Sequence, residues 1–231
     1  MNQNEQSDFI SQVEEELTWR LNELRFLKNQ LSLIENDEDK KKFRKSLVVM
    51  LYSYYEGFCK SAFQIYIQAI NSQNLSRNDV SLPLRVSSMN KIFNAYESGK
   101  KDQRFQRDLP NDNELHKYSR QMTFVEEFSN FLSETVLIPE DLVDTESNLK
   151  PIVLRKILYR LGFPVDQVQN SEGTINQLLN YRNDISHGSR KEGIQEQSYE
   201  HLETKVKKLM DTIRSVINNA ISESSYLEIA E

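Results

Sequence analysis

The chain has 231 residues, including six glycines, five prolines and one cysteine, and its formal net charge at pH 7 is −6. At roughly 150 residues per domain, this length indicates one large domain, or one domain with a sizeable insertion. The scarcity of glycine and proline argues against turn-rich β-sandwich and barrel folds, and the acidic charge argues against a generic attraction to nucleic acid. Any contact with nucleic acid must therefore depend on a local site.

Two long helices are predicted at the start of the chain. Apolar residues recur at steps of three and four, which predicts an amphipathic helix over residues 7–34. The acidic run at 35–39 then precedes a second helix, over 38–71, and its carboxylates suit the positive end of that helix dipole. The second helix is apolar on two adjacent stripes, so we expect it at the centre of a bundle. Glu56 falls inside one of these stripes and needs a partner there.

The middle of the chain, residues 72–148, is more polar, and we interpret it as an insertion on the bundle. Two shorter helices are predicted in it, at 84–96 and 119–135. A loop is predicted at 108–113, and basic residues cluster at Lys100, Lys101, Arg104 and Arg107.

Three further helices are predicted in the last third of the chain. The first covers 148–161, with a proline in its first turn and a glycine at its end. The next begins at 171–173 and runs into the sequence Tyr-Arg-Asn-Asp-Ile-Ser-His-Gly at 181–188, and the last covers 199–220. Since no strand-like alternation persists, we predict an all-α fold: a bundle of long antiparallel helices with a smaller, mostly helical insertion.

Several kinds of site lack the residue spacing that they need. The chain has no glycine-rich phosphate loop, no His-Glu-x-x-His and no Cys-x-x-Cys. Its histidines, His116, His187 and His201, lie in different predicted segments, so we expect no metal site and no cofactor. Asp184, Ser186 and His187 do not form a local hydrolase triad, because neighbouring helical residues point about 100° apart.

Residues 181–188 remain as the candidate site. Arg182 continues the apolar stripe of its helix, so its guanidinium is expected to face the bundle interior and to need a partner there. Two interpretations are open at this point. In one, Arg182 is a structural ion-pair partner and His187 with Gly188 only ends the helix. In the other, Arg182 and His187 carry chemistry.

Arg182 and His187, with the polar residue Asn183 between them, resemble the R-x4-6-H motif of the HEPN superfamily. The sequence Tyr-Tyr-Glu-Gly-Phe at 54–58 resembles the aromatic-Glu-Gly-Phe signature on a long early helix of small bacterial stand-alone HEPN proteins, the RiboL-PSP-HEPN-like branch. Both landmarks occur in the expected order, whereas residues 72–148 carry no resemblance of this kind.

The resemblance implies an all-α HEPN-like bundle, commonly a homodimer, and a metal-independent endoribonuclease acting as a toxin or in phage defence. It also implies RNA as the substrate and an antitoxin or another defence protein as a possible partner. Other members of the superfamily have lost catalysis and bind a nucleotide or a protein, which is the alternative function.

Cleavage of RNA without a metal needs a base for the 2′-OH proton and a cation for the phosphoryl oxygens. We assign His187 as the general acid or base and Arg182 as the phosphate clamp. The two residues are five positions apart, which on a helix places them about 140° apart in azimuth. Either the helix ends or distorts before His187, as Gly188 permits, or residues of two protomers meet across a two-fold axis.

Two supporting residues are predicted. Asn183 shares a face with His187 and is expected to orient its ring or the substrate, with a local cap as the alternative. Glu56 and Arg182 both lie on inward stripes, and two opposite buried charges most simply pair. We therefore predict an ion pair between them, and a local pair between Glu56 and Lys60 is the alternative.

The candidates for RNA contacts are Tyr181, Arg190 and Lys191. Tyr54 or Tyr55 and the basic residues at 40–45 are weaker candidates, because such aromatics are commonly core and such charges commonly solvated. A single cysteine, the absence of a signal-peptide pattern and the short apolar runs lead us to expect a cytoplasmic protein without a membrane segment.

Overall fold

The helix boundaries follow from capping residues that the sequence supplies. At the first helix, the Asn2 side chain accepts the N–H of Glu5 while the Glu5 carboxylate accepts the N–H of Asn2, a capping box that starts the helix before the predicted position. At the second, the Asn36 side chain accepts the N–H groups of Glu38 and Asp39. Both helices therefore begin at an asparagine that satisfies free N–H groups.

The computed structural model describes residues 1–97 and 112–228. These residues form eight α-helices and no strand, which confirms the predicted all-α class. The helices are α1 Gln3–Asn29, α2 Asp37–Asn71, α3 Leu82–Ser88, α4 Asn90–Glu97, α5 Asn113–Ser133, α6 Pro151–Arg160, α7 Glu172–Ser186 and α8 Glu196–Ser222. Short 3-10 turns lie at Gln30–Leu33, Arg77–Asp79, Glu140–Leu142 and Val165–Ser171.

Several predicted helices differ in their bounds: α1 ends at Asn29 and not at residue 34, and α8 covers Glu196–Ser222 and not 199–220. The helix predicted at 84–96 is two helices, α3 and α4, which are separated at Met89. The helix predicted at 119–135 starts earlier, because Asp112 caps the first turn of α5. The helix predicted at 148–161 begins only at Pro151. The basic cluster at 100–107 and most of the loop predicted at 108–113 lie outside the described residues.

Helix α2 lies at the centre of the bundle, as its two apolar stripes predict. It packs against α1, α7 and α8, and the buried side chains of these helices belong to one hydrophobic cluster. Helix α1 runs antiparallel to α2, since Glu23 contacts Tyr54 whereas Arg20, nearer the start of α1, contacts Ser61 farther along α2. No helix in the described ranges is long and apolar enough to cross a lipid bilayer.

The contact between α1 and α8 contains a buried carboxylate. Glu203 of α8 is 4 % exposed and accepts hydrogen bonds from Lys28 of α1, at 2.9 Å, and from Lys207. Burial alone would raise the pKa of Glu203, but the hydrogen bonds and charges of the two lysines outweigh it and hold the pKa below its usual range.

We expect Glu203→Gln to lower the free energy of unfolding at pH 7 by about 1–3 kcal/mol, because two lysines lose their shared acceptor. A carboxyl whose pKa is lowered in the folded state stabilises the fold above its unfolded pKa, and this contribution disappears as the pH falls through the folded pKa. The difference between wild type and variant should therefore shrink below about pH 4 in urea unfolding experiments. Glu223→Gln, at the exposed end of α8, is the control. A difference that stays constant down to pH 3 would contradict this account.

Candidate active site

The candidate site lies where the end of α7 packs against α2. Helix α7 ends at Ser186, and the backbone N–H of His187 donates to the carbonyl of Asn183 at 2.9 Å. Gly188 follows with φ +71°, a left-handed conformation that glycine adopts without steric cost. The chain thus leaves the helix at the glycine, as in the interpretation in which His187 and Gly188 end the helix.

The end of α7 does not redirect His187 toward Arg182. The bond from His187 to Asn183 is a regular helical bond, so the backbone keeps its helical course up to His187. Arg182 is half-buried against α2, whereas His187 is exposed. The offset of about 140° expected from the helical spacing therefore persists within one chain.

Three neutral groups surround the Arg182 guanidinium. Its Nη1 donates to the side-chain oxygens of Asn148, at 3.2 Å, and Asn183, at 3.0 Å. Its Cζ lies 5.2 Å from the centre of the Tyr52 ring, within the range of a cation–π contact. The inward-facing arginine therefore has partners, as predicted, but they are two amides and an aromatic face.

The predicted ion pair between Glu56 and Arg182 is not formed: among the described residues, no oxygen of Glu56 lies within 4.0 Å of a nitrogen of Arg182 or Lys60. The reason is Tyr52, one turn before Glu56 on α2, whose ring lies against the guanidinium. Burial raises the pKa of the Tyr52 hydroxyl, a hydrogen bond from the Leu149 N–H lowers it, and the nearby Glu56 charge raises it again. The Glu56 carboxylate thus influences the Tyr52 hydroxyl and makes no ion pair with Arg182.

Asn183 also has a different contact from the predicted one. Its side-chain oxygen accepts from Arg182, so it orients the arginine and not the ring of His187, and it does not cap the helix through its side chain. Within the described ranges the imidazole of His187 makes no hydrogen bond with the protein, and it is open to solvent.

Sequence reasoning missed two residues of this site. Tyr52 belongs to the apolar stripes of α2, and its hydroxyl accepts the N–H of Leu149 at 3.0 Å, which joins α2 to the loop before α6. Asn148, the neighbour of Leu149, was placed in the first turn of a helix. The available signal was that Tyr52 lies four residues before Glu56 on one helix face, but a loop contact has no periodicity to reveal it.

The loop after the motif carries two of the predicted RNA-contacting residues. The guanidinium of Arg190 lies over the ring of Tyr181, with Cζ 4.7 Å from its centre, and the carbonyl of Arg190 accepts from Lys45 at 2.7 Å. A Cβ at Gly193 would lie 2.4 Å from the Cβ of Lys41, so the loop approaches α2 where only glycine fits. Lys191 is exposed. Tyr181 and Arg190 therefore contact each other, and Tyr181 precedes Arg182 in the chain.

The basic residues at 40–45 are largely paired within the protein. Arg44 is buried, donates to the carbonyl of Ile194 and contacts Glu196. Three lysines pair with the acidic first turn of α2: Lys40 with Asp37, Lys41 with Glu38 and Lys42 with Asp39. This arrangement fits the structural interpretation of the cluster better than a phosphate-binding one.

The signature at 54–58 packs mainly against α1. Tyr55 is fully buried, and the Tyr54 hydroxyl donates to Glu23, so both tyrosines belong to the core. Gly57 faces Arg20, whose Nη2 would lie 3.4 Å from an added Cβ. The base-stacking interpretation of Tyr54 and Tyr55 is therefore wrong.

A family model described as RiboL-PSP-HEPN matches residues 15–219. The matched range contains the signature at 54–58, the motif at 182–187 and also residues 72–148, whose interpretation as an insertion stays a prediction. No curated protein and no solved structure gives a significant match. In the part of the chain that the structure describes, no three His, Cys, Asp or Glu side chains are grouped so that they could hold a metal ion.

Proposed function

The chain belongs to the RiboL-PSP-HEPN family, and on that premise we propose that it is a metal-independent endoribonuclease. HEPN domains are often ribonucleases, and this chain has both an arginine and a histidine in the motif. The proposal includes a role as a toxin or phage-defence effector, with an antitoxin or another defence protein as its neutralising partner.

The observation that carries the proposal is that the half-buried Arg182 guanidinium contacts no carboxylate among the described residues. In the described ranges, six other buried or half-buried arginines contact a carboxylate: Arg20 with Glu16, Arg44 with Glu196, Arg77 with Glu134, Arg85 with Glu228, Arg155 with Glu172 and Arg214 with Glu14. Arg190, which is half-buried over the ring of Tyr181, has no carboxylate within 4.0 Å either. Arg182 contacts only neutral groups. A phosphate supplies the missing anion, and its oxygens match the forked donors of a guanidinium.

The proposed reaction moves one proton and exchanges one bond. The 2′-oxygen attacks the adjacent phosphorus, the bond from phosphorus to the 5′-oxygen breaks, and the 2′-OH proton ends on the leaving oxygen. His187 serves as general base or general acid in this transfer, since imidazole titrates near neutral pH. Arg182 stabilises the charge on the non-bridging oxygens.

We further propose a two-fold homodimer in which Arg182 of one protomer and His187 of the other line one cleft. The support is the regular helical bond at His187, which keeps the two side chains of one chain about 140° apart. A two-fold axis near residues 181–188 brings two copies of the motif together.

The test is incubation of the purified protein with total RNA and with tRNA in the presence of EDTA. We expect fragments that carry a 2′,3′-cyclic phosphate at one end and a 5′-OH at the other. The 5′-OH ends are labelled directly by polynucleotide kinase, and the cyclic ends resist alkaline phosphatase. Cleavage that requires Mg²⁺ and leaves 5′-phosphates would contradict the mechanism. RNA binding without cleavage under all conditions would favour the inactive binding module.

A further inference from the structure

The Arg182 guanidinium is supported twice by one buried tyrosine. Tyr52 is 2 % exposed, and the face of its ring lies against the guanidinium. Its hydroxyl also accepts the N–H of Leu149 at 3.0 Å, and the preceding residue, Asn148, provides an acceptor for Arg182. Tyr52 therefore contacts Arg182 directly and also fixes the loop that carries the second contact.

The loop that presents Asn148 has a strained backbone. Glu146 and Ser147 have φ values of +50° and +65°, in the left-handed region that residues other than glycine rarely occupy. Such conformations persist where the surroundings hold them in place. Here the contacts that hold the loop include the Tyr52 hydroxyl on Leu149 and a backbone hydrogen bond from Asn148 to Thr145 at 2.9 Å. At Glu146 itself, the N–H donates to Asp144 and the carboxylate pairs with Lys156.

The neutrality of these contacts has a chemical consequence. A carboxylate in the place of Asn148 would orient the guanidinium equally well, but it would also compete with a phosphate for the same charge. An amide oxygen and an aromatic face orient the group and leave its charge free. We propose that Tyr52 and Asn148 are positioning residues that hold Arg182 with neutral groups for phosphate binding. This inference rests on the proposed role of Arg182 as a phosphate clamp.

The test measures binding, so that it does not depend on cleavage. The parent protein carries His187→Ala, the probe is a fluorescent single-stranded 2′-O-methyl oligoribonucleotide of mixed sequence, and the readout is anisotropy at low salt. Asn148→Ala should weaken binding about 3- to 10-fold, since one hydrogen bond that fixes the arginine is lost. Asn148→Asp should weaken binding more, by about 10-fold or more, because the new carboxylate pairs with Arg182.

The order of the two variants distinguishes positioning by a neutral group from a merely structural contact. If Asn148 only held the loop in place, aspartate would retain the acceptor oxygen and bind RNA at least as well as alanine. Asn219 is exposed on the last turns of α8, at the end of that helix that is farther along the chain from the motif. Asn219→Asp makes the same change in net charge as Asn148→Asp and should leave binding unchanged. Tyr52→Phe keeps the ring but removes the acceptor of the Leu149 N–H, and it should weaken binding by about threefold.

The possible outcomes separate this inference from the nuclease proposal. Efficient RNA cleavage by the wild type, with Asn148→Asp binding the probe as well as the parent, would overturn the positioning role and leave the nuclease function. The predicted order of binding in a protein that cleaves no RNA would support the positioning role and contradict the nuclease function. A parent protein that does not bind the probe would overturn the phosphate clamp and the positioning role together.

Discussion

Replacement of His187 by alanine is expected to lower the rate of RNA cleavage by about 100-fold or more, because the 2′-OH and the leaving oxygen lose their proton-transfer group. Arg182→Ala should cause a loss of similar size, since the charge assigned to the phosphoryl oxygens is removed. Arg182→Lys retains the charge but not the forked donors, so its activity should lie between those of wild type and Arg182→Ala. Single-turnover rates on one cleaved RNA measure all three variants.

The chain offers matched controls for these substitutions. His201 is an exposed histidine on α8, and Arg25 is an exposed arginine on α1. We expect His201→Ala and Arg25→Ala to cleave RNA at the wild-type rate, with melting temperatures close to those of the active-site variants. Equal cleavage by His187→Ala and wild type would show that the assigned site is wrong and that the activity has another source.

The spacing of apolar residues and the positions of glycine and proline were sufficient to predict most of the fold. The two stripes of α2 correctly predicted its central position, because a helix that is apolar over much of its circumference is stable only when it is surrounded. The end of α7 agrees with the interpretation in which His187 and Gly188 end the helix, because few residues other than glycine adopt φ +71° without strain. The division of the helix predicted at 84–96 was missed, since its apolar pattern continues across Met89.

The contacts of the site were less predictable. An apolar stripe gives the direction of a side chain but not which neighbour it contacts. The Arg182 guanidinium lies against the ring of Tyr52, whereas the sequence predicts an ion pair with Glu56. Whether the Asn183 side chain contacts Arg182 or His187 depends on its rotamer, which helical spacing does not specify. Asn148 reaches the site from a loop, where no repeat links sequence position to direction.

The second large effect concerns the proposed homodimer, for which light scattering after size exclusion should give about twice the mass of one chain. Two differently tagged chains, one with Arg182→Ala and the other with His187→Ala, are co-expressed and the heterodimer is purified through both tags. If Arg182 and His187 act across the two-fold axis, one cleft of this heterodimer is intact and the other lacks both groups. It should then retain about half of the wild-type activity, although each homodimeric variant is inactive.

A reciprocal heterodimer provides the control. One chain carries both Arg182→Ala and His187→Ala, and its partner is wild type. When the cleft is shared, each of its two sites lacks one group, so this heterodimer should be inactive. When each protomer forms its own site, the wild-type protomer keeps about half of the activity, and the heterodimer of the two single variants has none. The two heterodimers thus give opposite results in the two arrangements. An active reciprocal heterodimer, or a monomer that cleaves RNA at micromolar concentration, would place Arg182 and His187 of one chain in the same site despite the helical offset between them.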